Sequence, residues 1–366
     1  MSTEQRTQHP FYMHDCILIQ PEVFANVVKK NEDVIETFAT KVASCNRLFL
    51  VGIGTSYHAA QIGEYLVRAY DSSLDTYAYQ AFDFALYGPQ LKSTDCVIAI
   101  SHRGNKTYTL NSLNHARELG CYTALITGED SAASSSNISV DTILHTVAQE
   151  KSSAHTISYV GALAVLSSLV RHLGYYRTGL RILQKDFLYE QIPRVLQTIL
   201  KKENEIALLA RQHVKRRRFW LVGGGPSAVT AHEAALKIKE TSYLQAEGMS
   251  IEAMLHGPFQ CSGPEDLFIL ISPAGKAQAR VLELVALVKE IGAEQLIFSD
   301  ETSKLSQQDL TGACIVPAMP EVFTALTCLI PLQLFAYYLA LESGTNPDGF
   351  RLEDQRFASA RKLVQL

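Results

Sequence analysis

A ten-residue phrase occurs twice in this 366-residue chain, 171 positions apart. Arg47-Leu-Phe-Leu-Val-Gly-Ile-Gly-Thr-Ser56 reads against Arg218-Phe-Trp-Leu-Val-Gly-Gly-Gly-Pro-Ser227, sharing Arg, Leu, Val, two glycines and Ser. At the same offset Asp95-Cys-Val-Ile-Ala-Ile-Ser101 matches Asp266-Leu-Phe-Ile-Leu-Ile-Ser272, and Gly104 matches Gly275. One position further on, Ala124-Leu-Ile-Thr127 answers Leu296-Ile-Phe-Ser299. A solenoid repeat is several times shorter, so the duplication marks two copies of a whole domain. A hydrophobic content of 47% is enough to fill two ordinary cores.

Within each copy, short apolar runs alternate with helical periods. Leu48–Val51, Cys96–Ile100 and Thr123–Ile126 read as strands, and Ser56–Tyr70 and Thr107–Leu119 as helices. Buried runs of this length, separated by helices, predict a parallel sheet covered on both faces. The fold class expected is α/β: two tandem flavodoxin-like three-layer αβα domains. Residues 1–30 are expected to form an N-terminal arm, 31–190 the first domain, 191–345 the second and 346–366 a tail. A long apolar helix is expected from about Thr156 to His172, with a counterpart over Val322–Leu341. The latter is charge-free over nearly the length of a bilayer span. Pro331, Gln333, Thr324 and Thr327 interrupt it, which suits a helix buried between layers.

Bulk properties exclude several classes. A formal net charge of −4 provides no footprint for nucleic acid. The one dense basic run, Lys215-Arg-Arg-Arg218, leads into a strand and reads as a solvated turn. Seven cysteines form an odd set without Cys-x-x-Cys or metal-finger spacing, as expected of a reduced, cytoplasmic protein with no metal centre. The first residues carry no apolar leader segment.

Open parallel sheets bind ligands beyond the carboxyl ends of their strands. Gly52-Ile-Gly54-Thr55-Ser56 and Ser101-His102-Arg103-Gly104-Asn-Lys106 both fall there, between a strand and a helix. Glycines let backbone approach a ligand, and a helix start favours an anion. Hydroxyls of Thr55, Ser56 and Ser101 suit a phosphate, with Arg103 and Lys106 able to add charge-assisted bonds. The competing reading is tight turns with hydroxyl caps. No third glycine follows for a dinucleotide fingerprint, and no Gly-Lys-Ser/Thr element occurs.

The second copy carries Glu233-Ala-Ala-Leu-Lys237-Ile-Lys-Glu240, then His256-Gly-Pro258. Helical spacing places Glu233, Lys237 and Glu240 on one face. A solvated Glu–Lys pair is the plain alternative. The segment is nevertheless rich in Ala and Leu and follows a Gly-Gly-Gly-Pro turn, so its start should face the ligand crevice. A carboxylate there can act as a general base, and His256 can move a proton on a hydroxyl or ring oxygen.

The two-domain layout, Gly54-Thr-Ser-Tyr57 and the Glu233–Pro258 block resemble the sugar isomerase (SIS) family. Within it the likeness is to the isomerase half of the glucosamine-6-phosphate synthases, from about residue 20 to 345. The resemblance implies an aldose–ketose isomerase, or an amino-sugar-phosphate isomerase, deaminase or deglycase, moving a proton between C1 and C2. It implies that Thr55 and Ser56 contact the sugar phosphate, that Glu240 is the base and Lys237 its partner, and that His256 assists ring opening, often from the neighbouring subunit of a homodimer. Glu233 matches a further acidic position. A phosphorylated sugar or amino sugar is the partner implied, with no cofactor, nucleic acid or membrane.

The chain departs from the family in its phosphate loop, in the stretch before the long helix, in its tail and in the missing glutaminase domain. Its Ser-Gln-Ser-Gly-Glu-Thr phosphate loop reads Ser101-His-Arg-Gly-Asn-Lys106 here, keeping Ser101 and Gly104. Its Ala-Ser-Thr-Lys stretch reads Ala154-His-Thr-Ile157, and its closing Arg-Asn-Leu-Ala-Lys tail has no clear counterpart, Lys362 being a poor match. The glutaminase domain of the synthases is not recognisable, so the chain is expected to draw no ammonia from glutamine by itself. A non-catalytic phosphosugar sensor, or a partner subunit of another enzyme, is the alternative expectation.

Overall fold

A computed structural model describes residues 6–132, 139–305, 309 and 312–364. The chain divides into two compact units. The first comprises Ile19–Glu150 and His155–Arg194; the second takes the residues up to Leu18, Lys151–Ala154 and the chain from Val195 on.

The first unit contains β1 (Arg47–Gly52), β2 (Asp75–Gln80), β3 (Asp95–Ile100), β4 (Tyr122–Thr127) and β5 (Thr142–His145). The second contains β6 (Phe219–Gly223), β7 (Ala246–Ser250), β8 (Leu267–Ile271), β9 (Glu294–Asp300) and β10 (Cys314–Val316). Both sheets are parallel throughout, in the orders β2-β1-β3-β4-β5 and β7-β6-β8-β9-β10. The orders are identical and of the flavodoxin type, so the duplicated phrases occupy equivalent strands. The sequence shows the central strands, whose residues are almost all buried, as unbroken apolar runs. It does not show β2 and β7. Asp75-Thr-Tyr-Ala-Tyr-Gln80 and Ala246-Glu-Gly-Met-Ser250 are half-exposed edge strands, with no continuous apolar run to read.

The repeat extends to side chains. Arg47 donates to both oxygens of the fully buried Asp95 at 3.0 and 2.6 Å; Arg218 does the same to Asp266 at 3.0 and 2.8 Å. Each fork-to-fork pair ties the start of one strand to the start of its neighbour. The turns after β1 and β6 also coincide. Gly54 and Gly225 both lie at φ +56°, where an L side chain is strained. A Cβ on Gly52 or Gly223 would come within 2.5 Å of the following helix backbone.

The helix Ile157–Thr178 is buried along its apolar length and packs on Gln20–Lys30, Glu32–Ala43 and Thr55–Tyr70. Its counterpart is the helix Leu329–Glu342, packed on Pro226–Ser242 and Glu203–His213. The Val322–Leu341 stretch is thus a short 3-10 turn and two helical pieces rather than one span. Pro331 is tolerated because it stands in the first turn of Leu329–Glu342, where backbone N–H groups have no intrahelical acceptor. Both long apolar stretches are core: their hydropathic windows are 100% and 94% buried.

The arm is helical, as Tyr12–Leu18 and Gln20–Lys30, and it is shared between the units. In the second unit Asp348 accepts from the N–H groups of Tyr12 and Met13 at 2.8 and 2.9 Å, and His14 meets Glu203 at 2.5 Å.

Candidate functional site

In the first unit the β1 turn delivers Thr55 and Ser56 to the start of the helix Thr55–Tyr70. They line a small cavity with His102, Thr146, Ser158 and Tyr159. Its volume is about 10 Å³, room for roughly one water and not for a phosphate group. Ser101 opens the turn after the neighbouring β3, its Oγ buried and, among the described residues, without a hydrogen-bond partner. The loop after it is held through its carbonyls. Thr127 Oγ1 donates to Ser101 O at 2.8 Å, and Gln149 Nε2 to His102 O at 2.8 Å. Gly104 takes φ +63° to complete the turn.

The cationic loop residues diverge. Arg103 is exposed, and Lys106 stands half-buried before the helix Thr107–Glu118. His102 points inward: its Nε2 accepts the Glu150 N–H at 3.4 Å, and its ring lies edge-on to His155 at 5.3 Å. Burial pushes the His102 imidazole below its ordinary value, against the opposing pull of Glu150 and Asp130. Thr55, Ser56 and His102 therefore come together, while the Arg103 side chain lies in solvent.

Sequence reading missed Glu150. Its carboxylate accepts from the N–H groups of Thr156, Ile157 and Ser158 at 2.8, 3.3 and 2.9 Å, closing the start of the helix Ile157–Thr178. Burial alone would raise this carboxyl. His155, His102 and the hydrogen bonds outweigh it and hold it below the ordinary glutamate value. No local signal marks the cap, because Glu150 lies seven residues before the first helical residue.

In the second unit the helix Pro226–Ser242 carries the Glu233–Lys237–Glu240 face. Glu233 and Lys237 are completely buried. Lys237 Nζ lies 2.6 Å from Glu240 Oε2 and 3.4 Å from Glu233 Oε1. A buried lysine needs such partners, since an unpaired buried charge is costly. Glu240 keeps 20% of its side chain exposed. It opens on a groove of about 440 Å³ lined also by Lys239, Tyr243, Phe350, Arg351, Phe357 and Arg361. His256 is not a lining residue of this groove; its side chain is 76% exposed and pairs with Glu252 at 3.1 Å. The tail residues of the groove escaped the sequence reading because they follow no period. Among the described residues, no group of three or more His, Cys, Asp or Glu side chains is placed to hold a metal ion.

Comparison with known proteins agrees with this architecture. Over 338 residues the chain is 28% identical to the glutamine–fructose-6-phosphate aminotransferase (isomerizing) of Pyrococcus horikoshii, covering 92% of this chain and 56% of that protein. The enzyme of the same description from Thermococcus kodakarensis is 28% identical over 352 residues, 94% of this chain and 57% of the relative. The chain thus spans little more than half the length of these relatives. Among solved structures, the C-terminal domain of glucosamine-fructose-6-phosphate aminotransferase from Francisella tularensis superposes with a TM-score of 0.83 at 21% identity, covering 94% of this chain and 99% of that one. Tagatose-6-phosphate ketose/aldose isomerase from Escherichia coli gives 0.77 at 19% identity, over 94% and 97% of the two chains. Glucosamine-6-phosphate deaminase from Thermotoga maritima gives 0.71 at 19% identity, over 93% and 97%. The SIS domain description matches residues 41–171 and 214–343, one stretch in each unit, and the chain belongs to the SIS domain family.

Proposed function

We propose that the protein is a phosphosugar enzyme: an aldose–ketose isomerase, or an amino-sugar-phosphate isomerase, deaminase or deglycase, that moves a proton between C1 and C2. The observation that carries this reading is Lys237, completely buried between two carboxylates, one of which opens on a groove. A purely structural helix face gains little from burying three charges, because desolvation offsets most of their attraction. A proton-transfer site needs one carboxylate fixed in orientation and accessible to a ligand.

In this reading Glu240 is the general base, Lys237 orients it or a substrate oxygen, and Glu233 balances the lysine. His256 opens the sugar ring from the neighbouring subunit of a homodimer, for which its exposure is suited. Thr55, Ser56 and Ser101 take the phosphate, with Arg103 or Lys106 supplying charge and Gly54, His102 and Gly104 shaping the loops. The cavity at Thr55 and Ser56 is too small for a phosphate group, so binding within it requires its lining to open. A cytoplasmic setting accords with seven cysteines that are all free.

The test is solvent deuterium exchange at C1 and C2 of candidate ketose, aldose and amino-sugar phosphates. Exchange is expected with at least one, and Glu240→Gln should abolish it while binding persists. Exchange undiminished in that variant would remove Glu240 from its role. Binding without exchange in the native protein would favour the non-catalytic sensor, and co-purification with a separate enzyme the partner-subunit reading.

A further inference from the structure

The groove beside Glu240 has a composition that proton transfer alone does not require. Three cations line it, Lys239, Arg351 and Arg361, against the single carboxylate of Glu240. Of the nearby acids, Glu353 accepts from the Tyr243 hydroxyl at 3.1 Å, and Asp354 pairs closely with Arg356 at 2.8 Å and only loosely with Arg351. The Arg351 guanidinium lies 5.2 Å from the Tyr243 ring centroid and 4.1 Å from that of Phe357; Arg361 lies 5.7 Å from Phe350. An arginine whose faces rest on aromatic rings keeps its edge N–H donors free for a planar oxyanion. The contact of Arg351 with Asp354, at 3.9 Å, is too long for a hydrogen bond.

The backbone supplies an independent observation. Tyr243, Phe350 and Arg351 have φ of +60°, +50° and +56°, the only non-glycine residues at positive φ among those described, and all three line this groove. Side chains rarely adopt this backbone region without a compensating reason, and such residues cluster where a ligand is gripped. The Tyr243 hydroxyl, accepting the Arg351 N–H at 2.8 Å, fixes the arrangement.

We infer that Arg351 and Arg361 form an oxyanion subsite for a second anionic group on the substrate, a carboxylate or a further phosphate, in addition to the sugar phosphate. The inference rests on the phosphosugar reading above and narrows its substrate class.

The test is calorimetric titration of the full-length Glu240→Gln protein, which should hold substrate without turning it over. The probes are hexose 6-phosphates, hexose 1,6-bisphosphates, and 1-amino-1-deoxyketose 6-phosphates N-linked to glycine or to glycinamide. The glycine conjugate should bind at least about tenfold tighter than the glycinamide, or the bisphosphate than the monophosphate, and whichever pair shows the gain identifies the anion. Arg361→Met, on an exposed helix, and Arg351→Met should each erase most of that gain and leave monophosphate affinity unchanged. Lys215→Met, an exposed charge remote in sequence, should preserve it. Monophosphate binding with no gain in either pair, or a gain that survives both arginine variants, would overturn the subsite alone. No binding by any probe would overturn the phosphosugar reading together with it.

Discussion

Lys237 shows how much one side chain can be asked to hold. With Glu233 and itself fully buried, neither charge has water to fall back on, and the 2.6 and 3.4 Å contacts are what make both tolerable. Removing one partner of such an arrangement typically costs about 3–5 kcal/mol, because the charge left behind is uncompensated. Lys237→Met should therefore lower unfolding free energy by about that amount in urea titration. Adding Glu233→Gln should return a large part of the loss, since a neutral amide replaces the stranded carboxylate. A double variant as unstable as the single one would show that packing, not charge, sets the cost. The motif was legible in the sequence because i, i+4 and i, i+7 spacing fixes a shared helix face. Its burial was not, since the same spacing also describes a solvated pair.

Among elements, the helix Ile157–Thr178 depends on a residue outside itself. Its first two backbone N–H groups, with that of its N-cap Thr156, converge on the Glu150 carboxylate, which also meets the positive end of the helix dipole. Because that carboxyl is held below its unfolded value, its contribution is fully present above the ordinary glutamate value of about 4.3 and is lost as pH falls through the lower folded value. His102, also depressed, acts in the same direction, from nearer its ordinary value of about 6.5 downward. Glu150→Gln should cost about 2 kcal/mol at neutral pH and flatten the acid limb of the stability profile below about pH 4. Equal acid sensitivity in both proteins would assign that limb to other carboxylates. The central strands of both sheets could be read from their apolar runs; β2 and β7, half-exposed at the edges, could not. Contact with the tail gives the Glu240 groove four of its walls, Phe350, Arg351, Phe357 and Arg361, and a contact between residues over a hundred positions apart leaves no local pattern to find.

For the whole molecule, duplication explains why strand order, turn glycines and the pairing of an arginine with a buried aspartate recur, while the charged helix face does not. Both copies keep a serine in each of these turns, Ser56 and Ser101 against Ser227 and Ser272, whereas Thr55 faces Pro226 and only the second copy carries the charged helix face, so the two differ in turns and helix faces more than in sheet order. His256, 76% exposed and paired to Glu252 at 3.1 Å, is suited to act outside its own subunit. If a homodimer places it in the partner's site, Glu240→Gln and His256→Ala proteins are each inactive alone but complement when mixed. Random reassortment puts half of the subunits in mixed dimers, and in each of those one of two sites joins an intact Glu240 to an intact His256. Activity should therefore recover to about a quarter of the native value after denaturation and joint refolding. Recovery no greater than the sum of the two variants would place His256 in the same subunit as the Glu240 it serves, or outside the reaction. Sedimentation of the mixture separates these outcomes from a failure to dimerise, because complementation requires the mixed dimer to form.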